Sequence, residues 1–199
     1  LLAGIDHTPT APPSGPQEAG LFTLPNAITL ARLCCVPASV WLILQHKLDI
    51  AFLIFVAAGI SDGVDGWLAR VRNARSRLGA IMDPIADKTL LVTTYVALAA
   101  VGVLPDWLAI LVVFRDLLIV GGVLVLWVLG LPPRIRPLMI SKANTVAQIA
   151  LAAIALLLAG FALHAPVLLE TGIWLVTATT LASGIAYVVS AARLTGGGA

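Results

Sequence analysis

Three observations predict an all-α integral membrane protein, with six transmembrane helices in one bundle and both termini cytoplasmic. The first is composition: of 199 residues, 60% are hydrophobic and 11% charged, with a mean hydropathy of +1.02, whereas soluble domains carry about 25% charged residues. The second is spacing, since six apolar stretches lie at about 28–45, 49–70, 79–103, 105–129, 142–163 and 166–191, and a span needs roughly 20 apolar residues. The third is periodicity. No apolar/polar alternation supports barrel strands, and in lipid only helices and closed barrels satisfy their own backbone groups.

Taken in order, residues 1–20 are rich in Pro, Gly and small polar residues and have no apolar run of signal-peptide length. They read as a disordered tail ahead of a single membrane domain at 21–195. The chain opens on Leu1 rather than Met, which reads as sequence continuing upstream. The first stretch holds Cys34 and Cys35, which as adjacent residues in an apolar run form neither a disulfide framework nor a metal pair and are read as packing residues. The breaks at Gln45 to Leu48, Val71 to Leu78, Leu104–Pro105, Gly130 to Ser141 and His164 to Pro166 carry ordinary loop chemistry. Links this short predict antiparallel neighbours.

Counting Lys and Arg in alternate links puts Arg70, Arg72, Arg75, Arg77, Arg134, Arg136, Lys142 and Arg193 on one side and Lys47 on the other. Basic residues concentrate on the cytoplasmic side, which gives the topology above. That side also carries the acids of the second and third stretches, facing soluble nucleotides and metal ions. No internal repeat is seen, and no nucleic-acid partner is expected.

Asp62 and Asp65 are three apart and Asp83 and Asp87 four apart, so on helices each pair projects from one face. Acids kept in so apolar a chain are a functional-site hypothesis by default. Crowded carboxylates repel one another unless cations lie among them. Hard oxygen donors suit Mg²⁺ or Mn²⁺ better than zinc, which prefers His and Cys. Two such ions about 3.5–4 Å apart would clamp a diphosphate and steer an attacking hydroxyl in line. Gly66, Ala69 and Gly79 leave bare backbone against which a nucleotide could lie, and Arg70 offers a planar fork suited to phosphate oxygens. Salt-bridged helix ends, or an arginine anchoring its helix among headgroups, are the plainer readings of the same residues.

The segment matches D-x-x-D-G-x-x-A-R-x8-G-x-x-x-D-x-x-x-D at every fixed position: Asp62, Asp65, Gly66, Ala69, Arg70, Gly79, Asp83 and Asp87. It resembles the signature of the CDP-alcohol phosphatidyltransferase family, over about residues 22–193. The resemblance implies a six-helix membrane enzyme, commonly a homodimer, that uses two divalent cations, Mg²⁺ or Mn²⁺, and displaces CMP from a CDP-linked lipid. It further implies metal ligation by Asp62, Asp65, Asp83 and Asp87, with Asp87 also the general base. Asp62, Gly66, Ala69, Arg70 and Gly79 would line the CDP pocket. A covalent route would need an activated Ser, Cys or His near the acids, and His7, His46 and His164 lie elsewhere. His46-Lys47 does not fit the H-x-K-x4-D motif of the phospholipase D type of transfer.

For the acceptor the guides are fewer. Leu24 to Arg32, LPNAITLAR, resembles the entry segment of the glycerophospholipid-making branch. Phe114-Arg115-Asp116 and Ile140 to Thr145 resemble the CMP-forming, eukaryotic-type cardiolipin synthases, whereas phosphatidylglycerophosphate synthases tend to show Arg-Glu and Gly-Lys-x-Lys-Thr there. An unpaired Arg115 in lipid is costly, so it either pairs with Asp116 or points into the site to hold an acceptor phosphate. Adjacent helical residues face each other poorly, which favours the second. Arg134, Arg136 and Lys142 form a basic patch suited to an anionic acceptor. The expected reaction joins CDP-diacylglycerol to phosphatidylglycerol, giving cardiolipin and CMP in a bilayer, with glycerol 3-phosphate as the alternative acceptor. A bacterial inner membrane fits the Ala-rich, short-looped chain, with the mitochondrial inner membrane as the alternative. A cation transporter or a lipid-binding scaffold are the competing classes; transporters usually place acids near the midplane and show repeats.

Overall fold

The computed structural model describes residues 24–72, 77–128, 130 and 139–196, and the side chains of 33–61, 88–125, 128, 130, 139–190 and 192. Among these residues the chain forms six helices: α1 Leu24–Leu44, α2 Leu48–Arg72, α3 Arg77–Ala100, α4 Asp106–Val128, α5 Met139–Gly160 and α6 Pro166–Gly196. Helix α1 begins a turn before the apolar run does, because Pro25 in its first turn suits a helix start. Among the described residues three stretches are long and apolar enough to cross a membrane: Asp106–Val125, Met139–Gly160 and Pro166–Ser190. Shorter apolar stretches, Leu33–Leu44, Leu48–Ser61 and Lys88–Ala100, belong to α1, α2 and α3.

Packing runs in a closed ring, α1–α3–α4–α6–α5–α2 and back to α1, with α3 also touching α5 across it. Three of the expected hairpins are therefore present, α1/α2, α3/α4 and α5/α6. Helices α2 and α3, expected to be neighbours, do not pack together among the described residues, and neither do α4 and α5. Helix α1 packs instead against both α2 and α3, and α6 against both α4 and α5, so each sequence-adjacent pair is joined through a shared third helix.

One end of the ring is built by three similar stops. Helix α1 ends on His46 in the left-handed region (φ 58°), where the amide of Lys47 donates to the Leu42 carbonyl and that of His46 to Ile43, each at 2.9 Å. Helix α3 ends the same way on Gly102 (φ 76°), and α5 on Ala162 (φ 51°), where the Leu163 amide donates to the Leu158 carbonyl at 2.8 Å. Such caps satisfy carbonyls that a helix end leaves open. They also explain why α3 and α5 stop before their apolar runs do: hydropathy continues through Val101–Leu104 and Phe161–Leu163, but the backbone has turned.

That end is apolar and close-packed. Ile43, Ala51, Leu98, Leu108, Ala155 and Leu156 are fully buried. Phe52 meets the Phe161 ring edge-on at 6.0 Å, and Trp107 lies 6.0 Å from Trp174. A Cβ on Gly160 would lie 2.6–2.8 Å from the backbone of Leu48 and Asp49, so a glycine there lets α5 touch the start of α2. Hydroxyls along the helices turn back on their own chain, as Thr93, Thr94, Thr145, Thr171 and Thr177 do towards the carbonyl four residues earlier. A group so satisfied can sit in an apolar setting at little cost. Cys34 and Cys35 are free thiols, Cys34 exposed and Cys35 half-buried, so neither is buried in the core as a packing residue would be.

Candidate active site

The backbone of α2 is helical through Asp62, Asp65, Gly66, Ala69 and Arg70, and that of α3 through Gly79, Asp83 and Asp87. The three- and four-residue spacings of the acids are thus spacings on real helices. Their side chains, and all of Arg134 and Arg136, lie outside the described residues. Among the described residues no group of three or more His, Cys, Asp or Glu could hold a metal ion.

One residue beyond Asp87 begins a polar cluster whose side chains are described. Lys88 Nζ donates to both carboxylate oxygens of Asp116, at 2.9 and 2.8 Å. Arg115 Nη1 donates to Asp116 Oδ1 at 2.7 Å, and Nη2 to the hydroxyls of Ser141 and Ser183, each at 2.6 Å. Arg115 is 3% exposed and Asp116 9%, whereas the Lys88 side chain remains 43% exposed. The cluster ties α3, α4, α5 and α6 together. Arg115 therefore does pair with Asp116, against the expectation from adjacent helical positions, because its forked guanidinium reaches that carboxylate with one nitrogen and the serines of α5 and α6 with the other. A buried charge needs that partner and further hydrogen bonds to offset lost hydration. One donor, Nε, is buried without a partner. Lys142 lies exposed at the start of α5.

Deeper in, Asn144 Oδ1 accepts from the hydroxyls of Thr179 and Thr180, each at 2.9 Å. The Gln148 Nε2 donates weakly to Thr180 at 3.4 Å, and Tyr95 Oη donates to the Gln148 carbonyl at 3.0 Å. Asn144, Gln148, Thr180 and Ser183 are all 0–1% exposed. Lys88 and Ser183 are site residues that reasoning from sequence did not single out. Their signal was present: a lysine directly after the last signature acid, and Thr179, Thr180 and Ser183 at helical spacing inside an apolar run.

A cavity of about 460 Å³ opens on this cluster. Lys88, Arg115, Asp116, Ser141, Thr145 and Tyr187 supply its polar wall, and Val92, Val113, Leu117, Ile119 and Val120 the apolar one. A polar head with a net charge, bound beside a hydrocarbon surface, is what such walls suit. Since Lys88 lines it, the cavity begins one residue from the signature on α3.

The family described as CDP-alcohol phosphatidyltransferase matches residues 22–190. The chain is similar to a Homo sapiens protein named cardiolipin synthase (CMP-forming), 32% identical over 83% of this chain and 60% of that protein. It is similar to a Schizosaccharomyces pombe cardiolipin synthase (CMP-forming)/mitochondrial hydrolase fusion protein, 33% identical over 88% of this chain and 32% of that protein. A chloroplastic CDP-diacylglycerol--glycerol-3-phosphate 3-phosphatidyltransferase 1 of Oryza sativa subsp. japonica is 35% identical over 83% of this chain and 56% of that protein. The chain thus spans about a third to three fifths of the length of these relatives.

Proposed function

The chain belongs to the CDP-alcohol phosphatidyltransferase family, and from that premise we propose that it transfers the phosphatidyl group of CDP-diacylglycerol to a hydroxyl of phosphatidylglycerol, giving cardiolipin and CMP. The observation that carries the acceptor side is the cavity beside Lys88. It holds a buried arginine and an apolar wall, the pairing that an anionic lipid headgroup needs. The two relatives named as CMP-forming cardiolipin synthases favour the same acceptor. The rice relative, named for glycerol 3-phosphate, favours the runner-up, phosphatidylglycerophosphate synthesis.

Family members generally depend on divalent cations, and the acids fit them. All four are hard oxygen donors, and α2 and α3 stay helical through them, keeping each pair on one face. Asp62, Asp65, Asp83 and Asp87 would hold two ions, Mg²⁺ or Mn²⁺, which when bound neutralise the diphosphate and stabilise the departing CMP. Asp62, Gly66, Ala69, Arg70 and Gly79 bind the CDP part. Asp87 accepts the proton of the acceptor hydroxyl as its oxygen bonds to the phosphorus that carries diacylglycerol. The bond from that phosphorus to the CMP oxygen breaks, and CMP leaves with the electron pair. Arg115, with Arg134, Arg136 and Lys142, holds the acceptor phosphate. That Arg115 lines the cavity beside Lys88 supports this role.

The distribution of Lys and Arg supports six spans with both termini and the acids on the cytoplasmic side. Residues 21–195 act as one domain in a bacterial inner membrane, as a homodimer. The test is direct: purified protein receives labelled CDP-diacylglycerol with phosphatidylglycerol or glycerol 3-phosphate separately. Metal-dependent CMP release with cardiolipin from the first alone is expected. Consumption with glycerol 3-phosphate alone would transfer the chain to the runner-up, and no CMP release from either would remove the enzymatic reading.

A further inference from the structure

Three side chains receive hydrogen bonds from the Arg115 fork: Asp116, Ser141 and Ser183. Asp116 and Ser141 line the polar cavity together with Arg115, and Ser183 does not. Ser183 is 0% exposed and lies on the α6 side of the guanidinium. A hydroxyl so placed is out of reach of a molecule in the cavity. Anything it contributes to the acceptor must pass through Arg115.

The geometry shows what passes. An arginine only donates, and its Nη2 carries two hydrogens; Ser141 and Ser183, each at 2.6 Å, take both. Nη1 is held by Asp116 at 2.7 Å. Partners on α4, α5 and α6 thus fix a planar group at three points, and three points define its plane. Without Ser183 the fork could swing about the two that remain. Helix α6 guides the stem as well, since a Cβ added to Gly184 would lie 4.0 Å from Arg115 Cγ.

The face that α6 presents is itself fixed one turn deeper. Thr180 and Ser183 are three apart on α6, Asn144 and Ser141 three apart on α5, so each pair shares a face. Thr180 donates to Asn144 Oδ1 at 2.9 Å, which locks the rotation that brings Ser183 to Arg115. We propose that Ser183 is a positioning residue, setting the orientation in which Arg115 presents its charge to the acceptor phosphate. This rests on the reading that Arg115 holds that phosphate, and it names the group that aims it. A hydroxyl that only offset the burial of a charge would act on stability and leave substrate affinity alone.

Ser183→Ala removes the hydroxyl. Thr177→Val, which removes a hydroxyl of α6 bonded to the Ile173 carbonyl of its own helix, is the control. With the purified full chain, KM is measured for CDP-diacylglycerol and for the acceptor that wild type uses, phosphatidylglycerol or glycerol 3-phosphate. Ser183→Ala should raise the acceptor KM about three- to tenfold, the net worth of one hydrogen bond. KM for CDP-diacylglycerol should hold, as should both values in the control. In an Arg115→Leu background the same change should add less than about twofold, because a residue acting through the arginine has nothing left to aim. Where that double variant does not fold, the single one decides. An unmoved acceptor KM, with or without a lower melting midpoint, overturns the proposal. So does an equal rise for both substrates, or a rise undiminished without Arg115. Should Arg115→Leu itself leave the acceptor KM unmoved, the reading of Arg115 as the phosphate contact fails, a failure separate from these.

Discussion

The two halves of the ring are built on opposite principles. Around the turns at His46, Gly102 and Ala162 the interior is Ile43, Leu98, Leu108 and Leu156, with a glycine contact between backbones. Around Lys88 the interior is Arg115, Asp116, Asn144, Gln148, Thr180 and Ser183, and three of its buried polar atoms lack partners: Arg115 Nε, Asn144 Nδ2 and Gln148 Oε1. A bundle needing only stability would not keep unpaired polar groups, each of which costs about 1–3 kcal/mol when buried. The apolar half therefore holds the structure, and the polar half is where stability yields to binding and chemistry. Substitutions should divide the same way, between turnover and melting.

The largest effects belong to the acids beside the polar half. Asp83→Asn should abolish turnover and weaken metal binding, read as CMP release across a Mg²⁺ titration. Near-wild-type turnover in excess Mg²⁺ would break the assignment of chemistry to this end. Asp87→Asn should lose about 10²–10⁴-fold in rate, the usual contribution of a positioned base, while nucleotide still binds. If CDP-lipid binding fell as far as the rate, Asp87 would serve as a metal ligand alone and the base would be another group. Next in size, Arg115→Leu should raise KM for the acceptor about 10- to 100-fold, in line with the loss of charged hydrogen bonds worth about 1.5–3 kcal/mol. An equal rise for CDP-diacylglycerol would move Arg115 into the nucleotide pocket.

Legibility in the sequence also differs between the halves. Six helices were readable because apolar runs of span length admit little else, and their ends were off by a few residues where a left-handed turn, not polarity, stops the helix, as at Gly102. The signature acids were readable because their spacing is local. Ring order was not, since links of a few residues suggest neighbours, whereas α1 packs on both α2 and α3. Nor was the polar cluster: Lys88 and Asp116 are 28 residues apart, Arg115 and Ser183 68. A partner that distant leaves no periodic trace, so Arg115 looked unpaired until the fold closed around it.

In the apolar half, Gly160→Ala should act on stability alone. Its Cβ would stand 2.6 Å from the Asp49 nitrogen and 2.7 Å from the Leu48 carbonyl carbon, and backbone cannot step aside as a side-chain tip can. Overpacking of this kind costs about 1–3 kcal/mol, so the melting midpoint in detergent should fall by several degrees. The acceptor KM should hold. A changed KM with an unchanged midpoint would dissolve the division between halves.

The smallest effect is a change of sign between two similar turns. Ala162 and Gly102 both cap helices in the left-handed region, at φ 51° and 76°, and a Cβ there costs about 1–2 kcal/mol. Against this, glycine gives the unfolded chain more freedom, an offset of about 0.4–1 kcal/mol. Ala162→Gly should therefore stabilise by about 0.5 kcal/mol. Gly102→Ala should destabilise by a similar amount, since nothing lies within 4 Å of its added Cβ and backbone strain alone decides. At about 2–4 °C per kcal/mol for a chain of this size, midpoints should move 1–2 °C in opposite directions. Shifts of the same sign would mean that contacts, not backbone conformation, set the stability of these turns.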